Sequence, residues 1–347
     1  MPLHHQRINN FNFLRLAFAS LVLVSHAPEL VDGNRDREIL SRLFGTLSFG
    51  ELAVDGFFLL SGYLIVQSWQ NGPDMWQFLR KRFLRIVPGF LAASAICVFV
   101  VAPMAGASFD VILTRLGGIG LGALFLQVPI VPDVFVGSAY PGLNNSMWTI
   151  SKEFCCYLVV AALGALGAVR IRSMWLACTI ILFSLFIAQR FGLGAGGSDQ
   201  GLRLMCMFFV GGSHYLYRAY IPQRRGLALL CVVVLLIGMR SWKLAEPAVA
   251  LAGGYLIFYT AFMPSVVLTR FQEFPDVSYG VYLYGWPVQK LLLWYGATVS
   301  PWTLLVLSSV LCVGLGTASW FAIEKPALRF KNSAATQRNR SGEDLPL

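Results

Sequence analysis

Residues 11–28 read FNFLRLAFASLVLVSHAP, and residues 51–69 read ELAVDGFFLLSGYLIVQSW. Both stretches are mostly apolar over the length of about 20 residues that a helix needs to cross a bilayer. Each also carries ionisable side chains, which are costly inside a membrane and are therefore rare there. The two stretches predict membrane helices, and their charges mark candidate functional residues.

The composition favours the same class of protein. The chain has 347 residues, of which 56% are hydrophobic and only 13% charged, against about 25% charged in a typical soluble domain. A disordered chain is excluded, and a soluble globular enzyme is disfavoured because so few charges cannot cover so much apolar surface. The net charge of +10 comes from basic residues in short loops, so it indicates membrane topology rather than nucleic-acid binding.

We therefore predict an all-α polytopic membrane helix bundle. Residues 1–330 are expected to form a single membrane-embedded domain, and residues 331–347 a short, basic, disordered cytoplasmic tail. The seven cysteines lie mostly inside apolar runs without metal-ligand spacing. We expect neither a disulfide framework nor a metal site.

Eleven apolar segments are candidate membrane spans. They are residues 11–28, 51–69, 84–103, 111–128, 146–168, 174–190, 203–218, 226–242, 247–266, 278–296 and 301–323. The basic loops share the cytoplasmic side only if segment 111–128, which carries Arg115 and four glycines, does not cross. The prediction is about ten transmembrane helices with both termini cytoplasmic, plus one re-entrant or buried segment. Eleven crossings, against the charge rule, are the alternative.

The first span combines a cation with an imidazole. Its apolar run carries Arg15 and continues into His26, which favours a retained span over a cleaved signal peptide. The two residues are eleven positions apart, so a helix places them on one face with about 16 Å between them along the axis. A snorkelling Arg15 and an interfacial His26 are the alternative, but the pair favours a functional stripe.

Further charges fall inside or beside the next spans. Glu51 and Asp55 are spaced i, i+4 on one helical face, although Glu51 alone fits the outer headgroup region. Arg82 and Arg85, in a basic loop leading into the third span, are spaced i, i+3 and suit a phosphate group. Anchoring by the positive-inside rule also explains them, but Arg85 stands at the start of the apolar run, which favours an anion site.

Two later segments contain less specific candidates. The stretch NNSMWTISKEFCCYL at 144–158 places Glu153 where it can neutralise a cation, orient a substrate hydroxyl or simply occupy the first turn of a helix. Lys290 lies within an aromatic-rich span, where it must pair with a carboxylate or face a cavity. A packed core with an interfacial aromatic belt is the alternative for that span.

Taken in order, these residues resemble the acyltransferase-3 family of integral membrane acyltransferases, the O-acetyltransferase type that modifies bacterial surface glycans. The matching patterns cover nearly the whole chain. They are Arg15 with His26, LAVDGFFLLSGYLI at 52–65, Arg82 with Arg85, WTISKE at 148–153 with Tyr157, SYGVYLYGWP at 278–287 and IEKP at 323–326. One position departs, because Gly285 stands where family members often carry a histidine.

The resemblance implies a location in the cell inner (plasma) membrane. It also implies an acyl-CoA donor, usually acetyl-CoA, on the cytoplasmic side and a carbohydrate or glycan acceptor at the cell envelope. It implies donor binding by Arg15, Arg82 and Arg85. His26 is the candidate general base, since an imidazole titrates near neutral pH, and Glu153 is the second catalytic candidate. Acceptor binding then involves four further side chains, namely Asp55, Trp148, Ser151 and Lys290.

Other classes of function remain open at this point. A multi-span transporter or flippase of a lipid-linked or anionic substrate also fits ten spans with buried charges, although no inverted repeat is visible in the sequence. A membrane scaffold ranks last because it gives the buried charges no role. The acceptor, the acyl chain length and the oligomeric state are not fixed by the sequence.

Overall fold

The computed structural model describes residues 9–193, 200–296 and 299–330, and within these ranges the chain forms helices and loops without a strand. The predicted all-α class is confirmed. The helices are α1 Phe11–Asp32, α2 Ile39–Phe44, α3 Phe49–Gln70, α4 Met75–Met104, α5 Phe109–Leu124, α6 Asn145–Ala165, α7 Arg172–Arg190, α8 Gln200–Leu216, α9 Arg225–Gly238, α10 Ala245–Phe262, α11 Val266–Thr269, α12 Ser278–Tyr295 and α13 Pro301–Phe330.

Seven of the described helices are long and apolar enough to cross a membrane, namely α1, α3, α4, α6, α7, α10 and α13. The remaining predicted spans correspond to helices that are shorter or less apolar, such as α9 with 14 residues. The chain is therefore a helical membrane protein. The predicted tail over residues 331–347 lies outside the described residues.

The start of α4 corrects one sequence prediction. The Asp74 side chain accepts a hydrogen bond of 2.7 Å from the Gln77 backbone N–H, which caps the helix before Met75. Arg82 and Arg85 therefore lie on a helix that begins nine residues earlier than the predicted span, not in a loop. The i, i+3 spacing still places them on one face.

Glycines bring the central helices into backbone contact. A Cβ on Gly62 of α3 would lie 1.9 Å from the carbonyl oxygen of Phe208 on α8, and one on Gly280 of α12 would lie 2.5 Å from the Cα of Gly316 on α13. Small residues allow such close packing in membrane helices, where the apolar effect does not drive association. These contacts pack α3 against α8 and α12 against α13.

The helices define two ends of the bundle. At the Asp276 end, the loop before α12 contacts the first part of α1 and of α4 through Asp276. At the His26 end, the last part of α1 lies beside the start of α3, because a Cβ on Gly50 would lie 3.0 Å from the Ser25 Oγ.

Segment 106–134, which includes α5, begins and ends at neighbouring points of the helix bundle. The Ala105 carbonyl accepts a hydrogen bond of 3.0 Å from the Phe135 N–H. Within α5 only Ile112 is buried. A backbone hydrogen bond thus closes the segment at its base, and most of α5 lies outside the packed core.

Candidate active site

Two cavities lie between the central helices. The larger, about 310 Å³, opens at the Asp276 end and is here called the arginine cavity because Arg15, Arg82 and Arg85 line it. The smaller, about 180 Å³, lies at the His26 end and is called the histidine cavity because His26 lines it. The predicted site residues therefore divide between two compartments.

Asp276 organises the cations of the arginine cavity. Its Oδ2 accepts hydrogen bonds from Arg15 Nη1 at 3.1 Å and from Arg85 Nη2 at 2.5 Å. Burial favours the neutral acid, but the guanidinium groups of Arg85 and Arg15 outweigh it and hold the pKa of the Asp276 carboxyl below its usual range. An ionised Asp276 thus fixes two arginines side by side on the cavity wall.

The cavity retains unpaired positive charge. Lys81 and Arg82 line it together with Arg15 and Arg85, whereas the carboxylates among its described lining residues are those of Glu153 and Asp276. The Arg82 Nε is buried and has no hydrogen-bond partner among the residues described. Guanidinium groups bind phosphate through paired N–H donors, so this cavity suits a phosphorylated ligand.

Glu153 lies on the same wall and is held by two hydroxyl groups. Its Oε1 accepts hydrogen bonds from Ser61 Oγ at 2.8 Å and from Tyr157 OH at 2.5 Å. Ser61 comes from α3, while Glu153 and Tyr157 are one turn apart on α6. The carboxylate therefore links α3 to α6 inside the arginine cavity.

The histidine cavity is lined by buried polar atoms that lack partners. His26 Nδ1, Ser25 Oγ and Ser146 Oγ are buried without a hydrogen bond to any described part of the chain. The His26 ring packs edge-on against Trp286, with 4.9 Å between the ring centroids. Leaving a buried polar group unsatisfied costs about 1–3 kcal/mol, so a ligand with hydroxyl groups would find partners here.

Ion pairs surround the histidine cavity. Arg35 lies 3.2 Å from both the Glu29 and the Glu51 carboxylates. Arg203 Nη1 lies 3.1 Å from Glu246 Oε1. Both arginines line the cavity, and each is already held by carboxylates.

Arg203 and Glu246 were missed in the sequence analysis, although both stand at the edges of apolar segments. Arg203 is 3% exposed, and its Nε lies 3.6 Å from the Oδ1 of the fully buried Asp55. Unpaired, the Asp55 carboxylate would be a buried charge of high energy, and Arg203 is the cation that offsets it. An intramembrane carboxylate implies a cation on another helix, and that signal was available in the sequence.

The structure brings some predicted residues together and separates others. Arg15, Arg82, Arg85 and Glu153 share the arginine cavity, whereas His26 and Trp148 share the histidine cavity. Glu153 is therefore not placed to orient His26. Trp148 and Glu153 are five residues apart on α6, which turns their side chains about 140° from each other around the helix.

Three predicted acceptor-binding residues line neither cavity. Asp55 lies behind the histidine cavity, where it contacts Arg203. Ser151 donates a hydrogen bond of 3.3 Å to the carbonyl of Trp148. Lys290 donates one of 2.7 Å to Ser138 Oγ, and its Nζ lies 4.6 Å from the centre of the Phe135 ring instead of pairing with a described carboxylate.

The two cavities back onto each other at a shared boundary. Val54 of α3 and Tyr282 of α12 line both of them. The Tyr282 hydroxyl lies 2.6 Å from Thr149 Oγ1 and donates a hydrogen bond to the carbonyl of Ser146. A ligand that reaches the boundary from one cavity therefore lies close to a ligand that reaches it from the other.

Comparison with known proteins identifies the family of the chain. The profile of the acyltransferase-3 family, described as an acyltransferase domain, matches residues 8–323. An O-acetyl transferase of Shigella phage Sf6 is 25% identical over 345 residues, which cover 91% of this chain and 95% of that protein. Nodulation protein 10 of Rhizobium leguminosarum bv. viciae is 26% identical over 360 residues, covering 95% and 96%.

A further relative, the acyltransferase MdmB of Streptomyces mycarofaciens, is 23% identical over 273 residues, which cover 74% of this chain and 65% of that protein. No solved structure matches the chain. Because the family profile spans most of its length, the chain belongs to the acyltransferase-3 family, as the resemblance predicted. It is a membrane acyltransferase, which requires an acyl donor and an acceptor.

Proposed function

We propose that this chain is an integral O-acyltransferase of the cell inner membrane, which moves an acyl group, acetyl in the usual case, from acyl-CoA to a hydroxyl of a carbohydrate or glycan acceptor. The observation that carries the proposal is the pair of cavities, one lined by cations and one by a partly buried histidine, with a common boundary. Acyl-CoA carries its phosphates at one end and a thioester at the tip of an extended arm, so it matches a basic cavity that leads towards His26.

The topology we propose has ten spans with both termini cytoplasmic, within a single domain over residues 1–330. It is supported by contacts at the Asp276 end, where the Asn10 N–H donates to the Ala261 carbonyl and Arg80 donates to the Phe330 carbonyl. At the other end, the Tyr295 hydroxyl donates to the Met104 carbonyl. The basic residues at the start of α4 support a cytoplasmic Asp276 end through the positive-inside rule.

In the proposed reaction, the phosphates of the donor bind in the arginine cavity and the thioester reaches the boundary. The acceptor hydroxyl loses its proton to the His26 imidazole as its oxygen attacks the thioester carbonyl carbon. The carbon–sulfur bond then breaks, and the departing sulfur takes that proton from the imidazolium. The products are the acyl ester of the acceptor and free coenzyme A.

The remaining residues position the reactants. Ser25 and Ser146 offer unpaired hydroxyls beside His26 for the hydroxyl groups of the acceptor. The indole of Trp148 gives an apolar surface at the rim of the same cavity. Glu153 fixes Ser61 and Tyr157 within the donor cavity rather than acting on His26.

The proposal is tested with labelled acetyl-CoA supplied to native membranes that contain the wild type or His26→Ala at equal expression. Free coenzyme A and alkali-labile label in the glycan fraction are followed. His214→Ala is the matched control, because His214 is another partly buried histidine but lines a separate cavity beside Tyr255. We expect label with the wild type and the control and its loss with His26→Ala.

Two other outcomes would change the proposal in different ways. Equal label with wild type and His26→Ala would keep the enzyme and remove His26 from the chemistry. No release of coenzyme A from any acyl donor, with the acceptor present, would contradict the proposal and favour a transporter.

A further inference from the structure

We infer that Val54 and Tyr282 form a constriction in which the acyl group of the donor lies during transfer, and that the space left beside these two side chains selects short acyl groups. This inference rests on the proposed function, because it concerns the path from the donor cavity to His26. The two side chains are the ones that line both cavities within the described parts of the chain.

Positions along α3 locate the constriction. Of the α3 residues that line the arginine cavity, Val54 is the one nearest to the His26 end, while Phe57 and Ser61 follow it towards the Asp276 end. Of those that line the histidine cavity, Val54 is the one furthest from the His26 end, after Glu51. Val54 therefore stands where one cavity ends and the other begins.

Positions along α12 give the same boundary from the opposite wall. Ser278, Tyr279 and Tyr282 line the arginine cavity, in order from the Asp276 end. Tyr282 alone among them also lines the histidine cavity. On both α3 and α12, the residues that line the arginine cavity thus give way to those that line the histidine cavity at the same level of the bundle.

The constriction is rigid on both walls. The Tyr282 hydroxyl is tied to Thr149 Oγ1 at 2.6 Å and to the Ser146 carbonyl, and its ring packs edge-on against Phe57 with 5.9 Å between centroids. Val54 is β-branched, and such side chains have one strongly preferred rotamer in a helix. To make room for a longer ligand, Tyr282 would have to give up its hydrogen bonds and its contact with Phe57. Val54 would have to leave its preferred rotamer.

The orientation of the donor makes this space decisive. With the phosphates among the arginines, the acyl chain lies beyond the sulfur and the carbonyl and therefore enters the constriction first. The acyl chain must pass Val54 and Tyr282 before the carbonyl carbon meets the acceptor oxygen. Each added methylene must then fit beside the acceptor in a cavity of about 180 Å³.

The test compares acyl-CoA donors of different acyl chain length, with the whole protein in native membranes. Acceptor-dependent release of coenzyme A is measured with acetyl-, propionyl- and butyryl-CoA. Because one methylene changes discrimination by about 10- to 200-fold in a fitted apolar site, we expect Val54→Ala to raise the butyryl-to-acetyl rate ratio at least about tenfold. Tyr282→Phe, which frees the ring from its two hydrogen bonds, is expected to raise the ratio less.

Leu64→Ala is the matched control. Leu64 is on the same helix, lines the arginine cavity but not the histidine cavity, and loses one carbon more than Val54→Ala does. We expect its butyryl-to-acetyl ratio to equal that of the wild type. Val54→Ile adds one carbon at the constriction instead and should lower the butyryl-to-acetyl ratio. This variant tests the inference if Val54→Ala does not accumulate in the membrane.

Two results would overturn the inference. One is an unchanged ratio in Val54→Ala and Val54→Ile, with acetyl transfer preserved. The other is an equal shift in Leu64→Ala, which would assign chain-length selection to the donor cavity as a whole. Failure of the wild type with every donor would instead remove the proposed function, so the two failures are distinguishable.

Discussion

Replacement of Arg203 by methionine perturbs the buried ion network behind the histidine cavity. Methionine keeps much of the apolar stem of the side chain but removes the cation beside Asp55, which is fully buried. Glu246 keeps Arg190 at 3.2 Å, so Asp55 is the group left without compensation. Removing one partner of a buried ion pair costs about 3–5 kcal/mol, and we expect that loss in the free energy of unfolding.

A second replacement separates charge from packing. Asp55→Asn, combined with Arg203→Met, removes the orphan charge while conserving side-chain volume. We expect the double variant to recover most of the stability that the single variant loses. Arg35→Met is the control, since Arg35 is 46% exposed and exposed ion pairs contribute only about 0–1 kcal/mol.

The assay is unfolding by sodium dodecyl sulfate titration in mixed micelles, followed by tryptophan fluorescence. The unfolding midpoints of the four proteins should fall in the order wild type, Arg35→Met, the double variant and Arg203→Met. A single variant as stable as wild type would refute the reasoning. A double variant as unstable as Arg203→Met would show that packing, not charge, explains the loss.

Two further predictions concern stability. Because the pKa of Asp276 lies below its usual range, its ion pairs stabilise the fold above the unfolded pKa of about 4, and that contribution is lost as pH falls through the folded pKa. The thermal midpoint of the wild type should therefore fall more steeply than that of Asp276→Asn on acidification below about pH 5, and parallel curves would argue against it. Gly62→Ala should cost at least about 1–3 kcal/mol in the same unfolding titration, since its Cβ would lie 1.9 Å from the Phe208 carbonyl oxygen. Gly117→Ala, with nothing within 4 Å, should unfold like the wild type, and equal behaviour of the two variants would refute the close contact.

Helical periodicity explains why part of the site was predictable. Arg82 and Arg85 are three positions apart, and that spacing alone places them on one face of α4. The predicted separation of Arg15 from His26 along α1 likewise follows from the rise of a helix. In the structure Arg15 lines the arginine cavity and His26 lines the histidine cavity.

Contacts between distant segments explain what the sequence analysis missed. Asp276 follows α11 in a short polar loop, and nothing nearby in the sequence connects it with Arg15, which lies 261 positions away. Glu153 was the second catalytic candidate, but the structure holds its carboxylate against Ser61 in the arginine cavity, whereas His26 lines the histidine cavity. Periodicity describes one helix at a time, whereas partners across helices depend on how the bundle packs.

The separation of donor and acceptor sides is tested most directly by the sidedness of the reaction. Inverted and right-side-out membrane vesicles containing the wild type are supplied with labelled acetyl-CoA on the outside only, and coenzyme A release and alkali-labile label are measured. We expect both in inverted vesicles, where the Asp276 end faces the added donor, and neither in sealed right-side-out vesicles. Equal activity in the two preparations, or activity confined to right-side-out vesicles, would contradict a cytoplasmic donor site in the arginine cavity.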